Sequence, residues 1–238
     1  MKFNYIPKIL FSLWAYSAFV IIMIPGYLIV LFTPTLLLRR KITKLLSILG
    51  LLIVGQKLPI YRRKNFQSNC LFVANHSSLI DAMILAAVLP SNTCFLIKEE
   101  ASKAPIVGPF LRRLNPLFVR RNSARSKLES MKNIKKVLLT GDSVALFPEG
   151  TFDKNIGIKR FHTGGFFCVH ELEIPLIPIG IKGARKMLPS GSWLISYSKL
   201  TTLLGRNLNI QHADSPKALS QLAREKISIL TGEPLTNG

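Results

Sequence analysis

The stretch FVANHSSLIDA, residues 72–82, decides how the chain is read. A short apolar run, Leu71-Phe72-Val73-Ala74, stops at Asn75-His76. Two serines and Asp81 follow, and a second apolar run continues through Ala87. A buried strand followed by a buried helix fits this pattern, with the polar residues in the turn between them. If the strand ends at Ala74 and a helix opens near Ser77 or Ser78, Asp81 lies in the first helical turn. The helix dipole favours a carboxylate there. From that place Asp81 can reach one nitrogen of His76, fix the tautomer and leave the other nitrogen as a base. The same residues also fit a polar loop in which Asp81 only caps the helix. The stretch alone leaves both readings open.

Outward from this point the sequence alternates short apolar runs with helical periodicity. Strand candidates are Leu71–Ala74, Thr93–Ile97, Pro116–Val119, Ser143–Phe147, Ile174–Ile181 and Trp193–Tyr197, each bounded by turn formers. Ser78–Val88 reads as a buried helix. Ser123–Leu139 is amphipathic, with Leu128, Met131, Ile134 and Leu138 on one stripe. Ser215-Pro216 is an N-cap with a first-turn proline, and Gly232 is a helix stop. The fold class is therefore α/β, a sheet of mostly parallel or mixed strands flanked by helices.

The N-terminal region differs. Ile9–Leu38 contains no charged residue, whereas Lys2, Lys8, Arg39, Arg40, Lys41 and Lys44 flank it. As one straight helix this run would measure about 45 Å, against about 30 Å of hydrocarbon. Pro25-Gly26 lies mid-run, where a helix bends or breaks. Either a re-entrant hairpin with both ends cytoplasmic or a strongly tilted span fits these features. The division expected is a membrane anchor over residues 1–44 and a domain over 45–238. Leu45–Val54 fits an interfacial helix or a core helix of that domain equally well.

With 238 residues and a formal net charge of +20, the chain can bury a core and must attract a polyanion. Its 48% hydrophobic content, and the lack of zinc-ligand spacing, zipper or RNA-binding aromatic signature, exclude nucleic acid and favour an anionic membrane surface. The three cysteines, Cys70, Cys94 and Cys168, are widely spaced in apolar contexts. They read as buried residues in a reducing compartment. No metal-ligand spacing is present, and oligomeric state leaves no mark on the sequence.

Three further stretches carry polar chemistry. In LFPEGTFDKNIGIKRFHTGG, residues 146–165, Phe147 ends a strand, Pro148 breaks it, and Glu149 sits at the strand's carboxyl end, where α/β folds build their sites. Lys154, Lys159, Arg160 and Thr163-Gly164-Gly165 follow, a loop whose cations and backbone amides suit a phosphate or form a solvated basic turn. In NPLFVRRNSARS, residues 115–126, Arg120, Arg121 and Arg125 crowd a strand–helix junction. They either grip a phosphate or form a solvated face. IPLIPIGIKG, residues 174–183, holds Pro175 and Pro178, which mark a bulge or an edge strand.

In this order the four blocks resemble the glycerolipid acyltransferase family that includes the 1-acyl-sn-glycerol-3-phosphate acyltransferases. His76 followed by Asp81 matches its His-x4-Asp hallmark, and Phe147–Thr151 matches its Phe-Pro-Glu-Gly-Thr block. Phe118 and Arg121 match Gly-x-x-Phe-x-x-Arg, with Asn115 where glycine is usual and Arg120 where an acid is common. Pro175 and Pro178 match the proline block, and Lys98 with Pro105-x-x-Gly108 the usual spacer. The resemblance covers residues 50–200. It implies a glycerol-3-phosphate acyltransferase-like fold and transfer of an acyl group from acyl-CoA or acyl carrier protein to a lysophospholipid hydroxyl, with no cofactor. It also implies His76 and Asp81 as the catalytic pair, with Asn75, Ser78, Lys98, Arg121, Glu149, Gly150 and Thr151 at the acceptor. Glu149 would bind the glycerol hydroxyl or position the basic residues, since a carboxylate repels phosphate. No Gly-x-Ser-x-Gly elbow occurs, so Ser77 and Ser78 are not nucleophiles. The expected place is the inner (cytoplasmic) membrane, with the site facing the cytoplasm.

The two departures at Asn115 and Arg120 also admit other acceptors, such as a lyso-ornithine lipid or lysophosphatidylglycerol. A non-catalytic basic membrane-binding protein would bind anionic liposomes without thioester turnover. A lipid hydrolase would release fatty acid without an acceptor.

Overall fold

The central strand β1 (Leu71–Ala74) is buried on both faces, as its unbroken apolar run requires. In the computed structural model, which describes residues 5–61, 69–120, 123–152, 154–208 and 213–236, the chain enters β1 from two helices, α1 (Tyr5–Phe32) and α2 (Leu36–Ile53). It continues through α3 (Asp81–Val88), β2 (Thr93–Lys98), a 3-10 turn (Glu99–Lys103), α4 (Val107–Leu114), β3 (Leu117–Val119), α5 (Ala124–Leu139) and β4 (Ser143–Leu146). Then come α6 (Gly164–Leu172), β5 (Leu176–Lys182), α7 (Ala184–Met187), β6 (Thr201–Leu204) and α8 (Pro216–Thr231). The sheet order is β3-β2-β4-β1-β5-β6. The first five strands pair in parallel, and β6 joins β5 antiparallel.

Alternation along β1 feeds two cores. Phe72 and Ala74 pack with Leu51 of α2 and Ile84 and Leu85 of α3. Leu71 and Val73 pack on the other face with Leu138 of α5, Phe166 of α6 and Leu219 of α8. This is the α/β sandwich that strands alternating with helices predict. The three cysteines are buried, and burial pushes the thiols of Cys70 and Cys168 up to about 11, which leaves them inert.

The predicted break at Pro25-Gly26 does not occur: α1 runs through Pro25, and the chain turns instead at Thr33–Thr35. A proline inside a helix removes one donor, which a helix packed along a neighbour tolerates. Gly26 meets that neighbour, since a Cβ there would lie 2.5 Å from Leu46 of α2. At the real turn, guanidinium groups take over the orphan carbonyls that end α1. Arg39 Nε donates to Thr33 O at 2.7 Å, and Arg113 donates to the same oxygen at 3.0 Å.

The residue pair 44/45, expected to divide anchor from domain, falls inside α2. That helix is buried on one side and exposed on the other. Leu46, Ser47 and Leu51 are buried, whereas Leu45, Leu49 and Leu52 are exposed. Residues 6–32 of α1, which hold an 18-residue window of mean hydropathy 2.2, are long and apolar enough by composition to cross a membrane.

Trp193–Tyr197 is not a strand; the edge strand is β6 instead. The 193–197 segment satisfies its backbone on α1 rather than on the sheet. Ser12 Oγ accepts from Ile195 N at 2.8 Å, and Tyr16 Oη donates to Trp193 O at 2.7 Å. A short segment rich in aromatic and β-branched residues therefore lies on a helix rather than in the sheet.

Because Phe72 is 1% exposed in the strand both cores share, Phe72→Ala should lower stability by about 3–5 kcal/mol. Urea titration of the detergent-solubilised protein checks this, read as a lower midpoint.

Candidate active site

β1 and β4 are parallel neighbours, but the helices that follow them lie on opposite faces: α3 packs in one core and α6 in the other. Their carboxyl ends therefore diverge into a crevice, the place where open α/β sheets bind ligands. Asn75-His76 leaves β1 there, and Phe147-Pro148-Glu149 leaves β4. Lys98 ends β2 on the same edge, exposed, and Arg120 follows β3. Arg121 lies outside the described residues.

In the turn after β1, Asp81 both caps the chain and reaches the imidazole of His76. Asp81 opens α3 and is fully buried. Its Oδ2 accepts from the amides of Ser77 at 2.6 Å and Ser78 at 2.8 Å, and lies 3.0 Å from His76 Nδ1. One oxygen thus closes the turn and orients the imidazole. A carboxylate facing Nδ1 favours the tautomer with the proton on Nδ1, so Nε2 carries the lone pair. The His76 side chain is 17% exposed, and among the described residues Nε2 has no hydrogen-bond partner. The ring stacks on Phe147 with centroids 4.2 Å apart and tilts against Phe152 at 4.5 Å. Asp81 Oδ1 is buried without a partner among the described residues. A carboxylate so poorly solvated attracts the imidazolium that proton uptake at Nε2 creates.

Glu149 is a clamp. It is 5% exposed, and both its oxygens accept backbone amides: Oε1 from His76 at 2.7 Å, Oε2 from Lys159 at 3.0 Å. Both contacts hold backbone, tying the His76 turn to the loop that carries Lys159. Burial raises its carboxyl pKa against the opposing pull of those two amides. Gly150 has φ +75°, a left-handed turn that brings its amide to Phe147 O at 3.1 Å. Thr151 is exposed.

Asn75 and Ser78 spend their polar atoms on the fold. Asn75 exchanges two hydrogen bonds with the backbone of Ile181, at 2.9 and 2.7 Å, extending the β1–β5 ladder by a side chain. Ser78 Oγ donates to Leu188 O at 2.7 Å and the residue is fully buried. Gly164 and Gly165 do not extend the basic loop. They open α6, with Gly165 packed on Leu146. Lys154 and Arg160 are exposed in that loop, and Arg120 pairs with Glu99.

Sequence reasoning missed what holds the 149–160 loop from behind. Arg224 of α8, 7% exposed, donates to Ile158 O and Lys159 O, each at 2.8 Å. Beyond α8, Ile158 N donates to Pro234 O and Thr236 N returns to Ile158 O. A readable signal existed: Arg224 interrupts the apolar stripe of Leu219, Ala223 and Ile227.

Beside the crevice lies a cavity of about 290 Å³ between α1, α2, α3, α4 and β2. Phe19, Met23, Met83 and Phe110 line it, and Leu79 and Ala82, which bracket Asp81, reach it from the His76 turn. Among the described residues no group of three or more His, Cys, Asp or Glu could hold a metal.

Glu149→Gln puts an NH2 group against a backbone amide and should cost about 1.5–3 kcal/mol. The pH dependence has a defined sign. The folded wild type keeps the Glu149 proton to higher pH than the unfolded chain, so its stability falls as pH rises from the ordinary glutamate range through the raised folded value. Urea midpoints measured against pH should show this slope in the wild type and its loss in Glu149→Gln.

Comparison with known proteins agrees with this geometry. The chloroplastic 1-acyl-sn-glycerol-3-phosphate acyltransferase of Arabidopsis thaliana is 27% identical over 218 residues, 88% of this chain and 59% of that protein. The lyso-ornithine lipid O-acyltransferase of Pseudomonas aeruginosa is 31% identical over 139 residues, 58% of this chain and 53% of that one. The chain thus spans a little over half the length of these curated relatives. The crystal structure of the 1-acyl-sn-glycerophosphate (LPA) acyltransferase PlsC from Thermotoga maritima superposes with a TM-score of 0.74, covering 94% of each chain at 22% identity, a likeness of fold. The sequence profile of the Acyltransferase family matches residues 57–182, from the end of α2 to the end of β5. That match spans more than half the chain and takes in the His76 turn and the Glu149 clamp, and the chain belongs to the acyltransferase family.

Proposed function

We propose that the protein is an O-acyltransferase that moves a fatty acyl group from an acyl thioester, acyl-CoA or acyl carrier protein, to the free hydroxyl of 1-acyl-sn-glycerol-3-phosphate, making phosphatidic acid. The observation that carries this reading is His76 Nε2, open in a crevice between an apolar cavity and a basic sheet edge. Nε2 takes the proton of the acceptor hydroxyl while its oxygen attacks the thioester carbonyl. The tetrahedral intermediate then collapses, the C–S bond breaks, and the departing thiolate takes the proton from the imidazolium. Asp81 holds the ring throughout and stabilises its charged form. Asn75, Ser78, Glu149 and Gly150 shape the turns. Lys98 and Thr151 face the acceptor, with Lys154 and Arg160 adding positive charge for its phosphate, and Arg121 keeps the acceptor-binding role that the family resemblance implies. The acyl chain occupies the cavity, and the step uses no cofactor beyond the thioester.

The bilayer supplies the lipid. α1 lies along the domain rather than standing off it. Ser12 and Tyr16 bond to residues 193–195, the Tyr27 ring stacks on Phe110 at 5.8 Å, and Arg113 holds Thr33. Its outer face exposes Leu13, Ile21, Ile24 and Phe32. We read α1 and α2 as a hairpin seated in the cytoplasmic leaflet of the inner membrane, its basic flanks at anionic headgroups. The site then faces the cytoplasm, within reach of an anionic acyl carrier.

A lyso-ornithine lipid acceptor is the second reading. It is favoured by the similarity to the Pseudomonas enzyme and by Arg120, whose guanidinium is engaged by Glu99. The basic crevice favours the phosphate-bearing acceptor, because an ornithine headgroup brings its own ammonium.

Thiol release from acyl-CoA in the presence of lysophosphatidic acid tests the proposal. His76→Ala should abolish turnover; a variant as active as the wild type would sink the mechanism. Asp81→Asn should lower kcat by about three to four orders of magnitude, as when the orienting aspartate of a triad is lost. An acceptor panel separates the two lysolipids. Ala86→Phe, which fills part of the cavity, should shift the preferred donor to shorter chains in a competition assay.

A further inference from the structure

The segment 189–199, between α7 and β6, has no role in the chemistry. It holds two large aromatic side chains out to solvent: Trp193 is 63% exposed and Tyr197 61%. These rings do not dangle from a free loop. Ser12 Oγ bonds both the amide and the carbonyl of Ile195, at 2.8 and 3.2 Å, and Tyr16 Oη donates to Trp193 O. Ser196 N donates to Met187 O at 2.8 Å, and Leu200 N to Gln56 Oε1 at 2.8 Å, just beyond α2. Tyr197 lies beside Gly55, where a Cβ would come within 3.5 Å of its ring. The aromatics are therefore fixed next to the exposed apolar face of the helical hairpin.

The charge around them has one sign. Residues 174–213 include no aspartate or glutamate, and Lys182, Lys186 and Lys199 are exposed. Amphipathic aromatic rings flanked along the chain by lysines suit the headgroup level of a bilayer, where the ring is half-immersed and the cation meets lipid phosphate.

We infer that residues 189–199 form a second membrane-contacting element, which seats the domain at the headgroup level of an anionic bilayer beside α1. The inference rests on the bilayer seating of α1 proposed above. It goes further in fixing the depth of the active site. Ser78 Oγ, in the turn between His76 and Asp81, bonds the carbonyl of Leu188 at 2.7 Å, so the segment is joined to the crevice by one hydrogen bond. A segment held at headgroup level holds the His76 turn close to it, where the polar head of a lysolipid lies.

The sequence contains two tryptophans, Trp14 on α1 and Trp193, which makes the test direct. The full chain is reconstituted into phosphatidylcholine–phosphatidylglycerol vesicles holding lipids brominated near the headgroup or deep in the acyl chain. In Trp14→Phe, the remaining Trp193 should be quenched most by shallow bromines. In Trp193→Phe, Trp14 reports α1 on its own. Quenching of Trp14 with none of Trp193 at either depth would overturn this inference and leave the seating of α1 standing. Quenching of neither would overturn both. A kinetic arm follows the same logic. The double variant Trp193→Ser/Tyr197→Ser should raise the KM for vesicle-borne lysolipid about tenfold, equivalent to about 1.4 kcal/mol. An equal rise with a monomeric short-chain lysolipid would place the residues in the active site and overturn the inference.

Discussion

Asp81 Oδ2 accepts two backbone amides and faces His76 Nδ1 from inside the protein, and the rest of the site is arranged around that oxygen. The oxygen closes the turn that redirects the chain from β1 into α3, so turn geometry and imidazole orientation cannot vary separately. Because Asp81 is fully buried, the carboxylate depends on those few contacts for its solvation. Residues more remote in sequence then fix the turn's position: Asn75 on β5, Ser78 on Leu188, and Glu149 on the amide of His76. On the proposed mechanism, a base held this way meets its substrate with little reorganisation, the condition under which electrostatic catalysis is strongest.

The elements read most clearly from sequence were those whose physics is local. β1 is an apolar run with a hard stop. α8 carries its Ser215 cap, first-turn proline and left-handed Gly232 in the order that helix ends require. The pairing of His76 with Asp81 follows from their spacing across a helix start. What escaped depends on partners distant in the chain. Nothing around Pro25 says that α2 lies alongside, yet Leu46 packed on Gly26 accompanies an unbroken helix. The aromatic and β-branched content of Trp193–Tyr197 imitates a strand, yet its backbone is held on Ser12 and Tyr16 of α1, with Ile195 turned towards the core. The place of Glu149 at a strand's carboxyl end was legible, but not its hydrogen-bond partners. Only the fold reveals that amides from two separate segments consume both oxygens.

The N-terminal hairpin and the domain share one surface. α2 sends Leu51 into the main core and shows Leu45 and Leu52 outward, so no clean seam separates anchor from enzyme. Both α1 and α2 line the apolar cavity, through Phe19, Met23 and Ser47 among others. The same helices therefore provide the exposed apolar face and part of the pocket wall, a compact way to admit an apolar chain without exposing it to water.

The bonds from Arg224 to Ile158 and from residues 234–236 to the same strand-like pair also set an order of events during synthesis. Arg224 is made 66 residues after Ile158, which at about 5–20 residues per second is a delay of about 3–13 s. Until then the loop bearing the Glu149 clamp lacks its backing, although the His76 turn and the apolar hairpin have long emerged. The hairpin can meet lipid first, and the crevice is completed last. On the proposed membrane seating, a chain built this way reaches the bilayer before its crevice is complete.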